Sequence, residues 1–256
     1  MALLSGCERS ADLSEREGVQ APTGGSSPEV VSDGDTTTEH HMIDRGDAES
    51  AVVSIAMGAG QLRLSAGEER LLDGTFVYSE PEWKPEVSYE VDGTRGQLTI
   101  RQGDVQGGRF GINIQGGANG ANGSNERNEW TLLLGRDVPM DLRVDMGAGL
   151  SRLDLRGLDL SALDVSGGAG QTRIDLSGDR RRDVSATIEG GAGQLEITLP
   201  EAIGVHVEVD TRVGIIDAPG FRRDGDAYVN NAFGHSTVTM RVVVRLATGI
   251  LRLSLT

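Results

Sequence analysis

The sequence predicts an all-β fold: a β-solenoid, or β-helix, of stacked single-stranded coils with a period of about 21–23 residues, preceded by a disordered tail. Three observations carry this. A glycine phrase recurs, as Met57-Gly58-Ala59-Gly60, Met146-Gly147-Ala148-Gly149, Gly167-Gly168-Ala169-Gly170 and Gly190-Gly191-Ala192-Gly193. Each phrase leads into alternating sequence, such as Leu62-Arg63-Leu64 or Leu195-Glu196-Ile197, and alternation is the mark of a strand with one buried face. Gly149, Gly170 and Gly193 also follow one another at about 21 and 23 residues, within the range of a stacking unit.

The N-terminal stretch sets the limits of the folded part. Residues 8–49 are rich in Ser, Thr, Gly, Asp and Glu and poor in large apolar side chains, so they read as a disordered acidic linker that cannot offset its ordering entropy by burial. Its eleven acids against three arginines supply about half of the formal net charge of −15. A negative balance of this size argues against nucleic acid, which needs clustered Lys and Arg. Cys7 is the only cysteine, which excludes an internal disulfide and a thiolate metal cluster. Leu4-Ser5-Gly6-Cys7 matches the lipobox of bacterial lipoproteins, making residues 1–7 a truncated signal remnant and Cys7 a candidate lipidation site. Only Met1-Ala2-Leu3 precede it, too little for a signal peptide, so either translation starts further upstream or the match is chance. Nothing in the chain approaches the roughly 20 apolar residues of a membrane span, which leaves a lipid anchor as the membrane contact.

From residue 50 to 256 the elements are strands and turns. Residues 51–57 and 61–65 flank the first glycine corner. Asp73-Gly74 reads as a turn before the strand Thr75-Phe76-Val77-Tyr78, and residues 66–72 could close a single helical turn. Residues 86–92 and 97–101 form a hairpin around Asp92-Gly93, a favoured turn pair. Residues 103–128, crowded with Gly and Asn, form a flexible insertion between coils. Order resumes at Trp130-Thr131-Leu132-Leu133-Leu134 and runs through the remaining phrases to Val213-Gly214-Ile215-Ile216 and the last corner at Thr248-Gly249. The corner residues Gly58, Gly60, Gly147, Gly149, Gly168, Gly170, Gly191 and Gly193 are structural: a sharp reversal demands positive φ or close backbone approach. The alanine inside each phrase implies that no larger side chain fits there.

Taken together, Met57 to Leu64, Leu71-Leu72-Asp73-Gly74-Thr75-Phe76, Lys84-Pro85-Glu86-Val87, Gln97-Leu98-Thr99-Ile100, Asn128-Glu129-Trp130, Val138 to Leu142 and the phrases at Gly147 and Gly167 resemble the toast-rack N-terminal domain of bacterial envelope proteins. The same residues are similar to the C-terminal domain of Lia-type cell-wall-antibiotic response regulators and to the broader putative-adhesin solenoids. The resemblance implies a β-helical domain on the outer side of the cytoplasmic membrane. It transfers no agreed activity, and the membrane helices of the Lia-type regulators have no counterpart in this sequence.

Groups able to do chemistry are few and dispersed. His40 and His41 sit in the linker without companion ligands at metal-binding spacing, His206 alternates with valines on a strand, and His235 lies among polar loop residues. The phrases lack the nine-residue period of a calcium β-roll and the helix that follows a phosphate loop. A carbohydrate-active β-helix would need clustered acids on one face. Arg63, Arg152, Asp154, Arg173, Asp175 and Glu196 instead predict a mixed charge ladder, a solvated face that keeps strand edges from self-pairing. Aromatic residues are 4% of the chain, and Tyr78, Trp83 and Tyr89 are the one group able to offer a sugar platform. The sequence therefore reads as a non-enzymatic envelope scaffold or interaction module without cofactor or metal, lipid-tethered and acting in envelope maintenance or stress response. A glycan-binding or adhesive module is the alternative, and a carbohydrate-active enzyme the third reading. The expected partners are an envelope protein or a second copy engaged through exposed strand edges.

Overall fold

A computed structural model of the protein describes residues 28–103 and 126–256. Fourteen strands form one sheet: β1 (Glu29–Asp33), β2 (Thr36–Ile43), β3 (Ser50–Ala66), β4 (Leu72–Tyr78), β5 (Pro85–Asp92), β6 (Arg95–Gln102), β7 (Asn128–Leu134), β8 (Met140–Asp154), β9 (Leu160–Asp175), β10 (Val184–Leu199), β11 (Gly204–Asp217), β12 (Arg222–Asp224), β13 (Ala227–Val229) and β14 (Thr239–Leu255). A 3-10 turn at Pro81–Trp83 is the one helical element among the described residues.

The long strands β3, β8, β9, β10, β14 and β11 lie side by side in parallel, each bent near its middle. The part before the bend forms a first limb and the part after it a second. Side chains alternate along both limbs, and the inward ones, among them Val53, Ile55, Leu64, Val144, Leu153, Ile188, Ile197, Val244 and Leu253, join a single hydrophobic core. Leu155, Leu158 and Leu176 in the segments between strands close its third side. The fold is thus an all-β solenoid of bent coils, as the sequence predicts.

Glycine makes the bend possible. Gly60, Gly149, Gly170, Gly193 and Gly249 have φ of 140°, 127°, 132°, 142° and 141°, values that side chains resist. They also stack directly on one another: a Cβ at Gly149, Gly170, Gly193 or Gly249 would stand 1.9–2.0 Å from the carbonyl oxygen of the glycine in the adjoining coil. The earlier glycine of the phrase has no such φ, yet Gly168 and Gly191 meet the carbonyls of Gly147 and Gly168 at 1.9 and 2.1 Å in the same way. The alanine between them is different. Ala59, Ala148, Ala169 and Ala192 share a column with Thr248, which is exposed, so this position points to solvent and tolerates a larger side chain, contrary to the expectation.

Three further expectations need correction. The linker reaching to residue 49 is ordered from Glu29 onward, because β1 and β2 pair antiparallel and β2 pairs with β4; the solenoid domain therefore begins before residue 50. Asp73-Gly74 lies inside β4, where Gly74 makes room for the Phe76 ring rather than for a turn, and residues 66–72 hold bends without a helical turn. Coils also do not stack in sequence order. β3 adjoins β8 directly, and β14 slots between β10 and β11. β14 has both an inward apolar row on each limb and a corner glycine that fits over Gly193, whereas the second limb of β11 is exposed but for Ile216, which packs partly against the core, and Gly214 has no positive φ, so β11 is the better edge. Residues 1–7, including Cys7, the start of the linker and nearly all of the insertion lie outside the described residues. The described residues on either side are placed: β6 pairs with the first limb of β3 and β7 with its second, so Gln102 and Asn128 stand beside the corner that β3 makes at residues 57–60.

Candidate interaction surface

The outward faces of the limbs carry the charge ladder that the alternation predicts, with one departure. Registers align Arg63, Arg152, Arg173, Glu196, Arg252 and Asp217 in one column. Glu196 accepts from Arg173 at 2.7 Å and from Arg252 at 3.4 Å, and Arg252 reaches Asp217 at 3.8 Å. The Arg173 hydrogen bond is the main reason that the Glu196 carboxyl lies below its ordinary range. The other half of the column is not mixed, since Arg63, Arg152 and Arg173 are adjacent like charges; Arg63 turns aside to Glu129 at 3.7 Å. Asp154 and Asp175, also neighbours, are bridged by Arg156 at 2.6 and 3.4 Å. On the first limb Arg245 meets Glu189 at 2.8 Å and Arg95 meets Asp141 at 2.9 Å. These pairs lie at the surface, where solvent screening leaves them little net contribution to stability, and they make the flat faces polar and solvated.

The ends of the stack differ from the faces. Beyond β3, the first limb is extended by β6 and β5, and the second by β7, β4, β2 and β1. Beyond β11, the first limb is extended by the short β13 and β12, which pair only from Glu208 back to His206. On its second limb β11 has β14 on one side and no described strand on the other. Val213 and Ile215 on this edge are 69% and 66% exposed, and Val30 and Val31 of β1 at the opposite end are each 52% exposed. Thr211 Oγ1 of β11, in register with inward-facing Leu246, is buried with no hydrogen-bond partner among the described residues.

Next to β1 lies the one buried carboxylate of the described residues. Glu39 Oε1 accepts from the Tyr78 hydroxyl at 2.7 Å and stands 3.6 Å from Lys84 Nζ, while Oε2 pairs with His41 Nε2 at 3.0 Å. Burial alone would raise the Glu39 pKa, but the hydrogen bonds from Tyr78 and His41 and the charge of Lys84 outweigh it and hold the value below normal. Burial and the same carboxylate push Tyr78 upward. The His41 ring meets Phe76 edge-on at 5.3 Å, and Phe76 meets Trp130 at 5.2 Å, which ties the cluster to the core. His40 is hydrogen-bonded to Thr75 Oγ1 at 3.1 Å. The histidine pair thus sits in a strand and pins it to β4.

The remaining residues singled out in the sequence are scattered. His206 lies on the first limb of β11, 5.2 Å from the Phe233 ring, above an open hollow lined by Glu208, Asp210, Asp224, Asp226 and Arg245. Among the described residues no group of three or more His, Cys, Asp or Glu is placed to hold a metal ion. Tyr78 and Tyr89 are buried, so with Trp83 they make no exposed aromatic platform. Three polar anchors carry no signal in the sequence. Gln102 and Asn128 seal the corner of β3, Gln102 Oε1 accepting from Gly58 N–H at 2.9 Å and Asn128 donating to Ala59 O at 2.7 Å. Buried Arg180 donates to the carbonyls of Leu155, Leu158 and Leu176. Asn230 accepts from Val205 N–H and donates to Ile203 O. These four residues stand among many polar ones, with no repeat to flag them.

The family model for the N-terminal domain of toast_rack, DUF2154, matches residues 32–198. The chain is similar to a solved structure named a "putative cell adhesion protein" from Clostridium sporogenes, at 31% identity and a TM-score of 0.77 over 90% of this chain and 100% of that one. A "putative adhesin" from Parabacteroides merdae aligns at 9% identity over 85% of this chain and 97% of that one, with a TM-score of 0.19, too low to bear on the fold. No curated protein matches the chain.

Proposed function

The chain belongs to the toast-rack family, and from that premise we propose that it is a non-catalytic interaction module of the bacterial envelope, adhesive in type and presented outside the cytoplasmic membrane. The observation that carries this reading is the likeness, along 90% of the chain, to the Clostridium sporogenes structure whose name speaks of cell adhesion. The geometry supports it in two ways. Flat faces covered by paired surface charges suit contact with a broad surface more than enclosure of a small substrate. The burial of Tyr78 and Tyr89 removes the stacking platform that favoured a sugar ligand, so a protein surface is the better partner. The envelope address rests on the family and on Leu4-Ser5-Gly6-Cys7, which supports a lipid tether at Cys7. No described helix is long and apolar enough to cross a membrane. A role in envelope maintenance or stress response is one setting for such a module.

Two measurements test this. Beads coated with the full chain should retain envelope protein from cell-wall fractions, and retention lost after protease treatment but kept after glycan digestion identifies protein as the ligand. The reverse pattern would favour the glycan-binding alternative. Fatty-acid labelling from the longest in-frame start should mark the native protein and not Cys7→Ala; an unlabelled native protein would remove the tether from the reading.

A further inference from the structure

The two ends of the solenoid are stepped, and the steps are complementary. Past β3, the second limb rises two strands higher than the first, with β7, β4, β2 and β1 against β6 and β5. Past β11, the first limb rises two strands higher than the second, with β13 and β12 against none. Set the β11 end of one copy on the β1 end of another, and four strands lie between β11 and the next β3 on each limb: β13, β12, β5 and β6 on the first, β1, β2, β4 and β7 on the second. Strands are spaced by about 4.8 Å whatever their sequence, so equal numbers mean equal heights and the coils of the two copies stay parallel. Strand directions agree as well. The pairings already present make β12 run antiparallel to the incoming β5 and β11 antiparallel to the incoming β1, the hydrogen-bonding arrangement that short edge strands form most readily.

We propose that the protein assembles with further copies of itself head to tail, by antiparallel pairing of β11 with β1 and of β12 with β5 across each junction. This deepens the reading of the chain as an envelope interaction module by naming one partner, a second copy. Two of the three side-chain pairs traced across the joint match, and the third sets two carboxylates opposite each other. Following the registers strand by strand from one end to the other puts Ile215 at the level of Val31, two exposed β-branched residues on bare edges. The same tracing puts Arg222 of β12 at the level of Glu90 of β5, which makes no ion pair among the described residues. Glu29 falls opposite Asp217, whose charge Arg252 already faces at 3.8 Å. The joint covers the unpaired backbone on the second limb of β11. Because the two surfaces differ, the contact is heterologous and repeats without closing, giving an open stack.

The test is sedimentation of the full chain across a concentration series, with Val31→Lys and Ile215→Lys, both exposed positions that leave the core untouched. The native protein should show a weight-average mass rising with concentration past twice the 27.0 kDa monomer. Each variant alone should remain a monomer. Mixed in equal amounts they should form a dimer and stop there, since each supplies the intact end the other lacks. A native monomer at every concentration, a mixture that stays monomeric, or a closed dimer lost with Ile215→Lys but kept with Val31→Lys would each overturn the proposal; the last would mean β11 pairs with its own symmetry mate. Retention of envelope protein by monomeric Ile215→Lys on beads separates the two readings, because it measures adhesion where self-assembly is absent.

Discussion

From β8 to β10 the bend of each coil is held by backbone alone: glycine carbonyls and glycine Cα atoms stack in a column where a Cβ would come within 2.0 Å of an oxygen. At the other end of the molecule side chains do the holding. The corner of β3 is sealed by Gln102 and Asn128, and β2 is fixed to β4 by Glu39 between Tyr78, His41 and Lys84. A backbone device works identically in every coil and so is repeated; a side-chain device fits one place and is used once. Substitutions in the first kind collide with a structure that cannot yield, whereas in the second they leave polar groups without partners.

The largest effect is therefore expected at the column. Gly170→Val or Gly193→Val adds a strained φ to a clash with backbone, and should cost about 3–5 kcal/mol, read as a drop in the denaturant midpoint or a failure to fold. Gly225→Ala is the control: its φ is also positive at 63°, but nothing lies within 4 Å of the added carbon, so only about 1–2 kcal/mol is at stake. Equal losses at Gly170 and Gly225 would mean that stacking contributes nothing beyond φ.

Glu39→Gln comes next, at about 1.5–3 kcal/mol, because charge-assisted hydrogen bonds to buried partners are lost. Its pH dependence follows from the lowered folded pKa. The carboxylate's contribution is complete above the unfolded carboxylate range, at about pH 5 and higher, and is lost as pH falls through the lower folded value. Unfolding curves of native protein and Glu39→Gln should differ most at neutral pH and converge in acid; a gap that persists unchanged to about pH 2 would remove ionised Glu39 as its source. Gln102→Ala should cost about 1–2 kcal/mol by leaving Gly58 N–H unpaired, and the loss should shrink in a protein already lacking the Asn128 side chain. Arg245→Ala, which breaks an exposed pair with Glu189, should move the midpoint by less than about 1 kcal/mol, and less again in high salt.

The same contrast explains what could be read in advance. Repetition made the column legible: the phrases at Gly147, Gly168 and Gly191 announce bend, strand and period together, and alternation then gives the inward rows. Thr248 showed how far that goes, since an alanine repeated in four phrases looked sterically required and is merely exposed. β1 and β2 were illegible because the stretch Thr36-Thr37-Thr38-Glu39-His40-His41 is polar, and its place in the sheet depends on partners more than 30 residues away in β4. Coil order was hidden too: that Gly249 rather than Gly214 follows Gly193 depends on which strand has two buried limbs, a property of packing and not of spacing. On the candidate surface, the polar faces were foreseen, while the stepped ends arise only from the count of strands on each limb.

β6 and β7 flank β3 as two halves of one coil, the halves ending at Gln102 and Asn128 where β3 runs on through residues 57–60. Both limbs are pinned by register to β3, and Gln102 and Asn128 bond the β3 corner directly, so the two halves are held by β3 rather than by what joins them. Such a position is a graft point. Lengthening a loop already closed by its flanking strands costs only about 0.6 kcal/mol per doubling, so descendants of this scaffold can trade one insert for another at the same seam, and an engineer can splice a foreign domain into it, without the stack being redesigned.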